Sequence, residues 1–184
     1  MIILASKSPR RREILEMFFK DFRIVSSGAE ERSDFKDPVK YAVDVAKRKA
    51  WEVYEREEGT IIGADTIVVL NGKILGKPRD EEEAILMLKA LSGKVHDVIT
   101  GYCIIHEGRE ISNAVTTKVK FRDLNEEEIK AYVKTGEPLD KAGAYGIQGK
   151  GALLVEGIEG DYYNVMGFPI RIIVELGKLG FSPW

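Results

Sequence analysis

A chain of 184 residues that is 44% hydrophobic with a net charge of −2 can bury one sizeable core, with room for two lobes around a cleft, and has no global attraction for nucleic acid or anionic membrane. A single cysteine, Cys103, excludes an internal disulfide framework and a cysteine-rich zinc site and points to a reducing compartment, so the expected setting is cytoplasmic. No apolar run approaches the roughly 20 residues that span a bilayer, and the apolar start ends at Ala5, too early for a secretory signal of about 7–15 residues.

Ile2 to Ala5 reads as a buried strand that passes at once into Ser6-Lys7-Ser8-Pro9-Arg10-Arg11. Ser8 is the expected N-cap and Pro9 the first helical residue, so free backbone N–H groups and two hydroxyls converge where strand becomes helix. Cations in a first helical turn oppose the helix dipole, so the arginines imply an outside anion; the alternative is a solvated basic turn. Arg11 shares a stripe with Ile14, Leu15 and Phe18, which lays its stem along the core edge with its head at the helix mouth.

Asp37-Pro38 opens a helix to about Glu57 whose core stripe is Val39, Ala42, Val43, Ala46, Ala50, Val53 and Tyr54. Arg48 points away, and Lys47 and Lys49 flank the stripe on opposite sides, so periodicity does not choose between them. Thr60 to Leu70 is strand-like, and Asn71-Gly72 turns it into Lys73-Ile74-Leu75. Asp80 with Glu83 starts a helix ending near Leu91 in a capping-box-like pattern; Asn125 with Glu128 starts another. Val95 to Ile105 is expected to pair with Ala114 to Arg122 across Glu107-Gly108, with Lys118, Lys120 and Arg122 on a basic, wet face opposite Val119 and Phe121. The expected class is therefore α/β, with a mixed, partly antiparallel twisted sheet flanked by helices.

Asp65 stands in an otherwise apolar segment, Gly63 to Val69, where an isolated carboxylate costs several kcal/mol unless paired, hydrogen-bonded or metal-bound. Either it is a bulge acid beside Gly63, or it is a base or metal ligand; an aspartate base at neutral pH implies a divalent ion that acidifies water. Lys77, in Gly76-Lys77-Pro78-Arg79, is a solvated turn lysine or a point charge aimed at phosphate. Glu30 and Glu31 read as a polar loop. Gly143 to Gly151 is a glycine-rich loop that lets a ligand approach the backbone, with Gln148 offering an amide; its spacing is neither a Rossmann fingerprint nor a Walker loop. His96 and His106 lack metal-ligand spacing and are expected to be structural.

Six segments in register, ASKSPRR at Ala5, GADTIVV at Gly63, LGKPRD at Leu75, LSGKVHDVITG at Leu91, DKAGAYGIQGKGA at Asp140 and GDYYNVMGFP at Gly160, closely resemble the Maf family of nucleoside triphosphate pyrophosphatases, in its dTTP/UTP branch. The resemblance implies one domain over residues 1–184, a Maf/ITPase-like α/β fold with two lobes about a central cleft, and a homodimer. It implies hydrolysis of a nucleoside triphosphate to monophosphate and pyrophosphate with Mg²⁺ or Mn²⁺, a role in nucleotide-pool sanitation. Carried over, Asp65 becomes the base and a metal ligand, and Glu31 a second metal or water-orienting carboxylate. Ser6, Arg10, Arg11, Lys49 and Lys77 become phosphate contacts, and Thr66, Gln148 and Arg10 choose the substrate. Many members carry Asp-Glu where this chain has Glu30-Glu31, so which acid reaches the metal stays open. The rival reading is a nucleotide sensor or partner-binding protein without turnover. A nucleic-acid module on the Lys118, Lys120 and Arg122 face is disfavoured by the overall charge and by the lack of interleaved aromatics.

Overall fold

The computed structural model describes residues 1–184. Strand β1, Ile2–Leu4, is fully buried and leads into helix α1, Pro9–Glu16. The Ser8 hydroxyl caps α1 by accepting from the Arg11 N–H, and Pro9 occupies the first turn where its missing N–H costs nothing. Strand β2, Phe22–Ile24, escapes the sequence pattern because it has only three residues, one half-buried and two exposed, with no alternation. Helix α2, Pro38–Tyr54, is capped by the Asp37 carboxylate on Lys40 N–H and ends short of Glu57. Strand β3, Thr60–Leu70, turns through Asn71 (φ 50°) and Gly72 (φ 76°) into β4, Lys73–Leu75, the paired positive φ values that a tight hairpin needs.

Helix α3, Glu81–Leu91, is capped by Asp80, but the Glu83 carboxylate reaches the Arg79 N–H instead of closing a capping box. Strands β5, Val95–His106, and β6, Arg109–Phe121, form the expected hairpin over Glu107 and Gly108. Helix α4, Glu126–Lys134, does carry a full capping box of Asn125 and Glu128. Short 3₁₀ turns between Glu137 and Leu154 lead to β7, Val155–Glu159, then α5, Tyr162–Met166, and α6, Ile170–Lys178.

The seven strands form one mixed sheet in the order β2-β1-β3-β5-β6-β7, with β4 beside β3. Strand β1 runs parallel to β2 and β3, whereas β4 is antiparallel to β3 and β7 to β6. Contacts divide the chain into two units, one of residues 1–66, 100–115 and 167–184, the other of residues 67–99 and 116–166. Strands β3, β5 and β6 each give residues to both.

In the first unit, Ile3, Ala46, Ala50, Val53, Ile61 and Cys103 form a core in which α2 lies on the strands. The approach is close because two strand residues lack a side chain. A Cβ on Gly63 would collide with the Ala46 carbonyl and come within 2.9 Å of Ala50 N, and one on Gly101 would collide with the Ala42 backbone. Gly63 thus marks a helix-on-strand contact rather than the bulge considered from sequence. The closeness also shifts the buried stripe of α2, which takes in Val45 and Lys49 and leaves Val39 42% exposed. Burial pushes the Cys103 thiol up to about 12, so it behaves as a small apolar residue.

In the second unit, α3 and α4 pack with β6 around Leu88, Leu91, Val119, Phe121, Ile129 and Tyr145. The outward side of β6 is not an unopposed basic face: Lys118 pairs with Asp97, Lys120 with Glu156 and Arg122 with Glu128. His96 is buried, edge-on to Phe121 and Tyr145, and its Nε2 lies 2.6 Å from the Tyr145 hydroxyl. His106 Nδ1 meets the Thr60 hydroxyl at 2.7 Å, so both histidines sit in structural contacts, as their spacing implied.

Gly63→Ala or Gly101→Ala lowers unfolding free energy by about 1–3 kcal/mol or more, because each new methyl meets backbone that cannot rotate away; denaturant titration checks it. Burial pushes the His96 imidazole down to about 4, whereas an unfolded histidine titrates near pH 6.5. Between those values the unfolded chain binds the extra proton, so this contribution is complete above about pH 6.5 and is lost as pH falls towards about 4, about 3 kcal/mol in all. Unfolding titrations from neutral to mildly acidic pH therefore give a shallower pH slope for His96→Gln than for the parent.

Candidate active site

The junction of β1 and α1 is organised by one buried guanidinium. Arg11 is 8% exposed. Its Nε donates to the Gly167 carbonyl at 2.8 Å, Nη1 to the Ser6 hydroxyl at 3.3 Å and Nη2 to the Thr66 hydroxyl at 3.0 Å. The planar fork thus ties the first loop to β3 and to the segment before α6, as no single ammonium could. Helix periodicity explains why Arg11 turns inward and Arg12 does not: Arg12 pairs with Glu16 at the surface. Desolvation lowers the Arg11 pKa, while Asp65 and Glu31 raise it and Arg10 lowers it. Those four charges therefore share one electrostatic neighbourhood.

The Ser8 hydroxyl accepts from Arg11 N–H, the cap expected of Ser8, and the Ser6 hydroxyl accepts in turn from Ser8 N–H. Thr66 is tied further by Thr100, the two hydroxyl oxygens lying 2.9 Å apart. Thr100 is fully buried, and its polar group within the apolar run Val98 to Ile105 was the available sequence signal. Gly167 has φ 107°, and a Cβ there would stand 3.3 Å from the Thr66 hydroxyl and 3.6 Å from Arg11 Nε.

Lys49 is the second buried cation, 6% exposed on the core stripe of α2. Its ammonium lies 3.0 Å from Glu31 and 3.5 Å from Asp65, and it donates to the Ala64 carbonyl at 3.3 Å. The two lysines that periodicity left equivalent are thereby separated, for Lys47 pairs with Glu110. Of the neighbouring acids, Glu31 is the one brought to Lys49, with its carboxylate about half exposed. Asp65 sits on β3 with a side chain 13% exposed. Burial raises its pKa, Lys49 and Arg11 pull it down, and Glu31 raises it. The carboxylate is a stronger base than a solvated aspartate, yet has two cations to hold it ionised.

No three His, Cys, Asp or Glu side chains converge as a ready-made metal cage. Asp65 and Glu31, joined through Lys49, are two carboxylates of the hard-oxygen kind that a divalent cation could take.

Lys77 and Gln148 belong to the second unit. Lys77 is exposed between β4 and α3. Gln148 is half-buried and precedes a 3₁₀ turn, Gly149–Leu154, which its side chain does not cap. The glycine-rich loop is less open than its composition implied. The amides of Gly146, Lys150 and Gly151 are bonded to Tyr132 and Glu137, two residues that the glycine spacing did not indicate.

Residues 1–178 match the family described as Maf-like protein. The chain is 63% identical to a dTTP/UTP pyrophosphatase of Thermococcus onnurineus, with 99% of each chain covered. It is 57% identical to a dTTP/UTP pyrophosphatase of Pyrococcus abyssi over 100% of this chain and 98% of the relative. A dTTP/UTP pyrophosphatase of a Thermoanaerobacter species is 50% identical over 98% and 97%.

Arg11→Lys should cost about 2 kcal/mol or more of stability, since a lysine cannot serve the Gly167 carbonyl and both hydroxyls together. Arg12→Lys, at an exposed ion pair, should stay within about 0.5 kcal/mol. Urea unfolding of the two variants side by side measures the contrast.

Proposed function

The chain belongs to the Maf family, and from that premise we propose that it hydrolyses dTTP and UTP to the nucleoside monophosphate and pyrophosphate. The observation that carries the reading is the buried Lys49 ammonium set between Glu31 and Asp65, in the electrostatic neighbourhood of Arg10 and the buried Arg11. A sensor would use such cations to grip a triphosphate, but has less use for a desolvated base among them. The names carried by relatives at 50–63% identity over nearly the whole chain support the same choice.

In the proposed reaction, water attacks the α-phosphorus in line, the bond from that phosphorus to the bridging oxygen breaks, and pyrophosphate leaves. Asp65 orients the water and accepts its proton, a task helped by the rise in its pKa on burial. Asp65 and Glu31 would hold a divalent cation, Mg²⁺ or Mn²⁺, which when bound offsets triphosphate charge and makes water more acidic. Ser6, Arg10, Arg11, Lys49 and Lys77 contact the phosphates, where positioning and charge neutralisation supply most of the rate. Arg11 acts from a fixed pose, since its bonds to Gly167, Ser6 and Thr66 hold the fork before substrate arrives. Thr66, Gln148 and Arg10 choose the base and sugar. The same reading takes the nucleotide as partner, a homodimer as the working form and the cytoplasm as its setting. No helix is long and apolar enough to cross a membrane.

The deciding experiment is a panel of nucleoside triphosphates with Mg²⁺, assayed separately for pyrophosphate and orthophosphate. Pyrophosphate released from dTTP and UTP supports the reading, and orthophosphate alone overturns the bond assignment. Asp65→Asn should abolish this release while the protein still folds, because asparagine keeps the side-chain shape and Glu31 and the Ala64 carbonyl remain beside Lys49. Calorimetry and the pyrophosphate assay on one sample read both outcomes.

A further inference from the structure

Glu137 opens the 3₁₀ turn Glu137–Asp140 just beyond α4, and its carboxylate is directed at the glycine-rich loop. One oxygen, Oε1, accepts from the Tyr132 hydroxyl at 2.9 Å and from Gly151 N–H at 3.1 Å, and Oε2 accepts from Lys150 N–H at 3.3 Å. The Tyr132 hydroxyl, having donated its proton to Glu137, accepts from Gly146 N–H at 3.2 Å. Backbone amides on both sides of Gln148 are therefore fastened to one acid and its tyrosine. Successive loop amides that could cradle an external anion are occupied by a carboxylate from the same chain.

The glycines make this seat feasible. A Cβ on Gly151 would collide with the Gly146 carbonyl and stand 2.7 Å from the Tyr132 hydroxyl, and one on Gly149, at φ 64°, would stand 3.1 Å from Glu137 Oε2. Lys141 closes the base of the turn by donating from Nζ to the Glu137 carbonyl at 2.7 Å. Tyr132 is buried, so the anchor is rooted in the core of the second unit while Gln148 is presented from the loop.

We propose that Glu137, acting with Tyr132, is a positioning residue for substrate choice: it fixes the backbone that carries Gln148 and so sets how sharply the enzyme separates one pyrimidine triphosphate from another. The proposal rests on the reading of Gln148 as a base-discriminating residue. It assigns Glu137 no contact with substrate.

The test compares kcat and KM for UTP and CTP in the parent, Glu137→Ala, Glu137→Gln, Tyr132→Phe, Gln148→Ala and the double variant Glu137→Ala/Gln148→Ala, with hydrogen exchange of residues 146–151. Glu137→Ala should shrink the ratio of kcat/KM for the two substrates by about tenfold, mainly through KM, and should speed exchange at Gly146, Lys150 and Gly151. Glu137→Gln, which keeps an acceptor oxygen, should restore much of the ratio, and Tyr132→Phe should lose part of it. A purely structural defect would lower the active fraction and scale both substrates equally, leaving the ratio untouched. The double variant should discriminate no worse than Gln148→Ala alone, the signature of two residues acting through one device. An unchanged ratio in Glu137→Ala beside a changed one in Gln148→Ala overturns the proposal and leaves the reading of Gln148 standing. An unchanged ratio in Gln148→Ala overturns that reading and the selectivity role built on it, while exchange rates still report whether Glu137 holds the loop. Unaltered exchange in Glu137→Ala removes the anchor itself.

Discussion

The site depends on keeping a lysine ammonium out of water. Lys49 can be buried on the stripe of α2 only because Glu31, Asp65 and the Ala64 carbonyl surround its charge, and it reaches them only because α2 lies almost on the strand backbone. That approach in turn requires strand positions without a Cβ, supplied by Gly63 and Gly101. Backbone packing and charge pairing are thus one constraint: a helix held further out would separate Lys49 from Asp65 and leave a desolvated carboxylate opposed by less charge.

Around that pair the first unit is built for rigidity. Arg11 uses Nε, Nη1 and Nη2 on protein acceptors from three separate segments, and Thr100 bears on Thr66 from the neighbouring strand. Buried charges of this kind contribute little net stability, since desolvation offsets most of their attraction. Their return is geometric: the guanidinium is locked in one pose by acceptors from three segments. The pKa of Asp65 shows the same balance, pushed up by burial and drawn back by Lys49 and Arg11. The second unit applies the same physics to backbone, where the Glu137 carboxylate seated on loop amides replaces the solvent that would otherwise let a glycine-rich segment wander.

Where sequence and structure part company, the cause is usually a contact between distant segments. Ser8, Pro9, Asp37, Asn125 and the Asn71-Gly72 turn act through neighbours within four residues, so helix starts and the first hairpin could be read directly. Strand β2 and α5 carry too few residues to announce themselves, whereas α6 is as long as α4 and its apolar stripe of Ile172, Ile173 and Leu176 was available in the sequence. At the mouth of α1 the Arg11 amide is bonded to Ser8, as the N-cap reading required, and the Ser8 amide turns to the Ser6 hydroxyl.

The sequence alone determined the α/β alternation, the inward turn of Arg11 and the anomaly of an acid at Asp65, for periodicity and burial cost are local properties of the chain. The six quoted segments carried the family. The resemblance had already placed Lys49 and Glu31 in the site, while tertiary structure supplied their contact with each other and with Asp65 and the bonds that Thr100, Gly167, Tyr132 and Glu137 make to neighbouring segments. Those contacts turn on ångström-scale distances between residues up to 156 positions apart, and a linear pattern encodes the residues that meet without encoding how closely two backbones can approach.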